Sequence, residues 1–336
     1  MGRAGRLAAG LALLGSLCAC SPLYVLQSAA GHADLLLRRR SIERALKDPR
    51  LPPDLRAKLD TADSARRFAF ESLGLKKSRD FTTYALIDRS AVTYLVSGSP
   101  RTKLQAYEWW FPIAGRFPYK GYFVKARALA ERDRLETKGF DASVSGAAAY
   151  KTPLPFTDPL PSSALDFSTG SLAALLIHEL THGTVYFKNH SDFDEALAQF
   201  AGEQGARRYL AARFGAESPE LAAYLKELEG DAAADGVFSR LREKLLALYG
   251  GPAPDAEKLE ARRPLFAAAQ AELEALGFHY KVLNNSVVVA HEVYHSDLPF
   301  AALLERCGGD FPKFVAALKT LDPQDPAGAL RRQVAH

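Results

Sequence analysis

An α+β fold, mostly helical, with a small mixed or antiparallel sheet and a helical C-terminal half is what this sequence predicts. Three observations support it. Apolar residues recur at helical spacing over residues 25–75 and again, with one clear break, over 192–321. Residues 84–123 are instead rich in β-branched and aromatic side chains, the types that suit a pleated surface. Four prolines in the thirteen residues 151–163 divide the strand-rich part from the helices that follow.

In chain order, an apolar run precedes Arg38, then Ser41-Ile-Glu-Arg-Ala-Leu-Lys47, then residues 52–73 with Leu55, Leu59, Ala62, Ala65, Phe68 and Ala69 on one helical face. The basic run Arg38-Arg39-Arg40 could touch anionic lipid but reads as a solvated helix end. Val92-Thr-Tyr-Leu-Val96 and residues 103–111 read as strands, with Gly98-Ser-Pro100 as the turn between them. Gly115, Pro118 and Gly121 punctuate the next stretch. Residues 122–138 return to helix, and 141–150 read as a short strand. The proline-rich 151–163 cannot be an interior strand; it predicts an extended loop that walls a cleft. Gly250-Gly-Pro-Ala-Pro254 breaks the helical remainder.

The first nineteen residues are expected to leave. Met1-Gly-Arg-Ala-Gly-Arg6 is a basic start, and Leu7 to Leu17 is an apolar run too short to span a bilayer, as in a signal peptide. It ends in Leu17-Cys18-Ala19-Cys20-Ser21, which resembles a bacterial lipobox. Cleavage before Cys20 and lipid attachment to its thiol are expected; Cys18 fits worse, with Leu17 directly before it. Ser21 after the lipid cysteine points to the outer membrane. The expected location is therefore the bacterial cell envelope, anchored by lipid and facing the periplasm. Of three cysteines only Cys307 would then stay free, so no disulfide can staple the chain. The parts are 1–19, the signal; 20–75, a helical segment; 76–190, the sheet-containing part; and 191–336, the helical part.

Composition narrows the function. With 48% hydrophobic and 24% charged residues the chain is ordinary for a globular protein. Its net charge of +4, smaller still without Arg3 and Arg6, gives no footing for nucleic acid.

The chemistry lies in His178-Glu179-Leu180-Thr181-His182, set among good helix formers with Ser168, Thr169 and Ser171 as candidate N-caps. On a helix the two histidines stand one turn apart and offer two imidazoles to one point, an arrangement that suits Zn2+. Glu179 can serve as general base toward water polarised by such an ion. A third protein ligand is needed. In the following helix Glu195, Gln199 and Glu203 share a face, and Glu195 is the choice, with Asp194, Glu203 and His190 behind it. Lys188 occupies the position where a metzincin has its third histidine, which excludes that class, and a glutamate on the following helix looks like the gluzincin type of zincin. The same H-E-x-x-H pattern recurs at His291-Glu292-Val293-Tyr294-His295. It follows three β-branched valines and precedes Pro299, which leaves a short helix at best, with Glu305 and Asp310 as distant carboxylates.

Several stretches together resemble a known family, the predicted zinc aminopeptidases of bacterial lipoproteins. They are residues 21–32, 111–123 and 156–163, the first H-E-x-x-H with Phe193-Asp-Glu-Ala-Leu-Ala-Gln-Phe200, and Leu283-Asn-Asn-Ser286 with Tyr294. The resemblance implies a zincin-like peptidase with metal ligands His178, His182 and Glu195 and catalysis by Glu179. It also favours the first copy of the motif, and it offers Tyr294 as a donor to the oxyanion. Two departures are Asp194, where asparagine is usual, and Gly183, where a larger polar residue is common. The Gly-x-Met-Glu-Asn motif by which gluzincin aminopeptidases hold a free amine is absent, since the one methionine is Met1.

The expected function is thus a membrane-anchored envelope zinc metallopeptidase acting on a peptide or protein, with aminopeptidase action left open. The alternatives are a non-catalytic zinc lipoprotein that binds envelope peptides or has a structural role, and an enzyme for another amide such as cell-wall peptides. The membrane, reached through the N-terminal lipid, is the other expected partner; no protein partner is readable.

Overall fold

The computed structural model describes residues 22–111, 115–149, 157–294 and 297–335; the expected signal segment and Cys20 lie outside them. In chain order the elements are α1 (Pro22–Leu37), β1 (Arg39–Ser41), α2 (Ile42–Lys47), α3 (Pro53–Glu71), β2 (Thr83–Ala85), β3 (Thr93–Pro100), β4 (Trp109–Phe111), β5 (Gly115–Phe117), β6 (Tyr119–Tyr122), α4 (Lys125–Thr137), β7 (Phe140–Ala147) and β8 (Leu160–Pro161). A 3-10 turn over Ser162–Ala164 then leads into α5 (Thr169–His182), α6 (Ser191–Phe214), α7 (Pro219–Gly250), α8 (Asp255–Ala275), α9 (Asn285–Tyr294), α10 (Phe300–Arg306), α11 (Phe311–Leu318) and α12 (Pro326–Ala335).

The chain is α+β and mainly helical, with small sheets, as its composition pattern indicates. One three-stranded sheet runs β1-β2-β8 and is mixed, because β8 joins β2 in parallel. A second has β3 in its centre, antiparallel to β6 and to β7. β4 and β5 form a separate antiparallel pair.

The largest apolar core gathers α3, α5 and α6 with the C-terminal helices. Leu59, Ala62 and Ala69 of α3 meet Leu172, Leu176 and Ile177 of α5, Leu197 and Tyr209 of α6, and Phe300, Phe314 and Leu330. Each large side chain fully buried here contributes about 1.5–3 kcal/mol. Two glycines set how near α5 and α6 lie. A Cβ on Gly202 would stand 2.8 Å from the Ala174 carbonyl oxygen, and one on Gly205 would stand 2.9 Å from Ile177 Cγ2. Without side chains at these points the two backbones come close enough for their functional groups to meet.

The strand region departs from expectation in three places. Gly98-Ser-Pro100 is no turn: β3 runs through it, with Pro100 opposite Phe140. Gly98 answers to packing instead, since a Cβ there would meet Leu135 Cδ1 at 2.9 Å and Tyr107 Cβ at 3.2 Å. Of residues 103–111 only Trp109–Phe111 is strand; the earlier part folds back over β3, with the Tyr107 amide donating to the Gly98 carbonyl at 2.8 Å. Arg39 and Arg40 do not end a helix but form the edge strand β1, paired with Ala85 and Tyr84. The glycines and proline of 115–121 fall within or between β5 and β6.

Candidate metal centre

α5 starts where Ser168 caps it, its side chain accepting from the Ser171 amide at 3.1 Å. Such a cap contributes about 1 kcal/mol. Both hydroxyls also donate to Glu227 of α7, at 2.9 and 2.6 Å, which ties the start of this helix to its neighbour. Leu172, Leu176, Ile177 and Leu180 bury one face in the core. That fixes the rotation of the helix and turns His178 and His182 toward α6.

The two imidazoles meet with Nε2 atoms 3.2 Å apart. From the second turn of α6, Glu195 brings Oε2 to 3.3 Å from His178 Nε2 and 3.5 Å from His182 Nε2. All three side chains are largely buried, at 13%, 18% and 11% exposure. Ligands about 2.0–2.1 Å from a tetrahedral ion lie about 3.3–3.4 Å from one another. The three donor atoms already sit at that spacing. Two nitrogens and one carboxylate oxygen are also the donor set that zinc takes in catalytic sites. Among the described residues this is the one group of three or more such side chains close enough to hold a metal ion.

The electrostatics are those of a tightly shared charge. Burial works against protonation of His182, but the hydrogen bond and charge of Glu195 outweigh it, and its pKa is pushed up to about 9. Burial alone would raise Glu195; the two imidazoles hold it well below the usual carboxylate range.

The other candidates for third ligand do different work. Asp194 is buried and accepts the Phe187 amide on both oxygens, at 2.9 and 3.2 Å, pinning the loop between α5 and α6. Burial pushes its pKa up to about 7. His190 stands at the N-cap of α6, outside the cluster. Glu203 lies two turns beyond Glu195 and accepts from Gln199 at 2.7 Å.

Glu179 is buried and faces a cleft of about 310 Å³ shared with His178, Gln199 and Glu203. Ala147, Ala148, Ala149 and Phe167 also line it. Residues 151–156 of the proline-rich loop lie outside the described residues; its described part, 157–163, does not line this cleft but supplies the edge strand β8 and the start of the 3-10 turn.

One residue escaped sequence reasoning. The Tyr119 hydroxyl of β6 donates to Glu195 Oε1 at 3.0 Å, on the oxygen that does not face the histidines. It was hidden in an aromatic run, since tyrosines in strands are ordinary core residues. The second H-E-x-x-H copy is bound up in packing. His291 Nε2 meets Asp235 Oδ1 at 2.9 Å and its ring stacks on Phe238 at 4.0 Å, while Glu292 pairs with Arg242. His295 lies outside the described residues. Tyr294 closes α9, a helix packed on α6, β3 and β7; its side chain lies outside the described residues.

Comparison with curated proteins gives no match, and comparison with solved structures gives none either. A family model described as "Putative aminopeptidase" matches residues 23–333. That span takes in nearly every described element, from α1 to α12, so this chain belongs to the Putative aminopeptidase family.

Proposed function

We propose that this protein is a zinc metallopeptidase of the bacterial envelope, held to the membrane by a lipid on Cys20 and acting on peptide bonds. The observation that supports it most is the spacing of His178, His182 and Glu195, three donors at 3.2–3.5 Å beside a cleft that Glu179 enters. The family description supports peptide substrates.

His178, His182 and Glu195 would hold the ion. When bound, zinc supplies Lewis acidity toward the scissile carbonyl and toward water. The chain's own groups do the rest. Glu179 follows His178 in the chain, is buried and lines the same cleft, so its carboxylate would stand beside the reacting atoms. It accepts a proton from the attacking water and returns it to the leaving nitrogen. Tyr119 keeps the carboxylate of Glu195 turned toward the histidines. Tyr294 is retained as the donor to the oxyanion, on the family resemblance. The cleft between α6 and residues 147–149 receives the substrate chain.

Metal analysis with a peptide-library assay tests this reading. The purified protein should hold about one zinc, and replacing both His178 and His182 by Ala should abolish it. Glu179→Gln should keep the metal and lose hydrolysis. An undiminished rate in that variant would end the mechanism, and metal retained without either histidine would move the site elsewhere. Mass spectrometry of the protein from bacterial membranes tests the anchor: acylation should map to Cys20.

A further inference from the structure

α1 is unusual for a surface helix in which side is apolar. Val25, Leu26, Ala29, Ala30, Ala33 and Leu37 are all exposed, with Val25 at 53%, Leu26 at 67% and Leu37 at 87%. At 100° per residue these six fall within an arc of about 140°, and Leu36 lies in it too. No charged residue enters that arc; the helix's one carboxylate, Asp34, lies outside it and pairs with Arg38 at 2.9 Å. A surface helix normally shows water its polar face. This one turns its polar and aromatic side inward. Tyr24 donates to the Gly121 carbonyl at 3.0 Å and packs on Tyr122, Gly31 lies against Phe123, and Leu35 is buried. The helix is therefore fixed on the protein with its apolar stripe outward.

We propose that this stripe seats on an anionic lipid bilayer, with α1 lying in the plane of the interface. Two further observations select that occupant. Cys20 precedes Pro22 by two positions, and two residues reach no more than about 7 Å, so a lipid on that thiol would bring the start of α1 against the headgroups. Arg39 and Arg40 are exposed just past the end of α1, and Arg39 Nε donates to the Leu36 carbonyl at 2.8 Å, which sets that guanidinium at the end of the stripe, where it complements anionic headgroups. At 16 residues α1 is about 24 Å long, short of a bilayer's apolar thickness, and no helix among the described residues is long and apolar enough to cross a membrane. An apolar stripe with an arginine at its end suits a helix that lies in the plane of a membrane surface. The inference rests on the lipid-anchor part of the proposed function and not on the peptidase chemistry.

The test uses the chain from residue 20 with Cys20→Ser, which cannot be acylated, and vesicles of phosphatidylcholine with or without phosphatidylglycerol. The chain should co-sediment with the mixed vesicles. Val25→Glu with Leu26→Glu should lower that partition roughly a hundredfold. Arg39→Glu with Arg40→Glu should lower it roughly thirtyfold on mixed vesicles and little on phosphatidylcholine alone. Circular dichroism of the variants should match the parent, since all four positions are exposed. Failure of the parent to bind, or binding unchanged by the glutamates, overturns the proposal. So does a lipid-free dimer that the same glutamates dissolve, which would assign the face to a second copy. Zinc content and peptide hydrolysis are read separately, and neither outcome bears on vesicle binding.

Discussion

The hydroxyl of Tyr119 donates to Glu195 Oε1 while Glu195 Oε2 faces both histidines, so one carboxylate is held between a strand and a helix. β6 is joined to β3, and Glu195 stands on α6; the hydrogen bond links the small sheet to the candidate metal centre. Partners of this kind fix the direction of a metal ligand, and losing them typically lowers affinity 10–100-fold. Tyr119→Phe should therefore weaken zinc binding by about that factor while leaving the fold intact. Competition against a chelator of known affinity measures it. Equal affinity in the variant would mean that the packing of α5 on α6 orients Glu195 unaided.

The protonation of the cluster predicts how metal affinity follows pH. His182 in the metal-free protein has a pKa of about 9, and a ligand to zinc must be unprotonated. Below pH 9 each ion must displace a proton, so the apparent affinity should rise about tenfold per pH unit from 6 to 8. The stability of the metal-free protein should move the other way. A histidine whose pKa is raised by folding contributes its full stabilisation below its unfolded value of 6.5 and loses it as pH rises through 9. Asp194, raised to about 7, acts in the same direction, its contribution lost as pH climbs from 3.8 through 7. Glu195 is depressed and contributes throughout this range. Melting curves with and without zinc should therefore diverge between pH 6.5 and 9. Parallel curves would contradict the proton displacement.

Glu179→Gln separates chemistry from binding. The amide keeps the shape of the side chain but cannot take a proton, and general-base action contributes about 10²–10⁴-fold. The expected variant binds one zinc with near-normal affinity and hydrolyses peptides slower by that factor. Loss confined to KM would reassign Glu179 to substrate binding.

How far the sequence foretold this arrangement depends on the range over which each signal acts. The histidine pair is local, fixed by helical pitch, and so is the cap at Ser168. Glu195 was readable because it lies on the next helix and its rivals could be ranked, although Asp194 sits one residue away. What sends Asp194 to the Phe187 amide and Glu195 to the histidines is the rotation of α6, which depends on the packing of Leu197, Ala201 and Gly205. Tyr119 is 76 positions from Glu195, and no local pattern announces such a contact. The strand region was the least legible for a related reason. Gly98 carries the signature of a turn, yet it is glycine because Tyr107 and Leu135 press on it.

The glycines between α5 and α6 offer a direct test of whether helix spacing sets the metal centre. In Gly202→Ala the new methyl would lie 2.8 Å from the Ala174 carbonyl oxygen and 3.3 Å from His178 Cβ. The first contact is with backbone, so a side chain cannot simply turn aside; the helices must part. Overpacking of this kind costs about 1–3 kcal/mol, partly offset because alanine favours helix by about 1 kcal/mol. The variant should melt earlier than the parent and bind zinc more weakly, because Glu195 retreats from the histidines along with its helix.

The second H-E-x-x-H copy should behave as structure. His291 is held by Asp235 and stacked on Phe238, and Glu292 is paired with Arg242, so two of its chemically capable groups are spent joining α9 to α7. His291→Ala would empty the stacking position beside Phe238, which is buried, and leave Asp235 without that imidazole. A loss of about 1–3 kcal/mol in stability is expected, with zinc content unchanged at one equivalent. Glu292→Gln should cost less, because its ion pair is a third or more exposed and surface pairs contribute at most about 1 kcal/mol. Denaturant melts read the first effect and metal analysis the second. Were zinc to leave with His291 while the fold stayed intact, the ion would belong to α9, and the geometry around His178 would need another explanation.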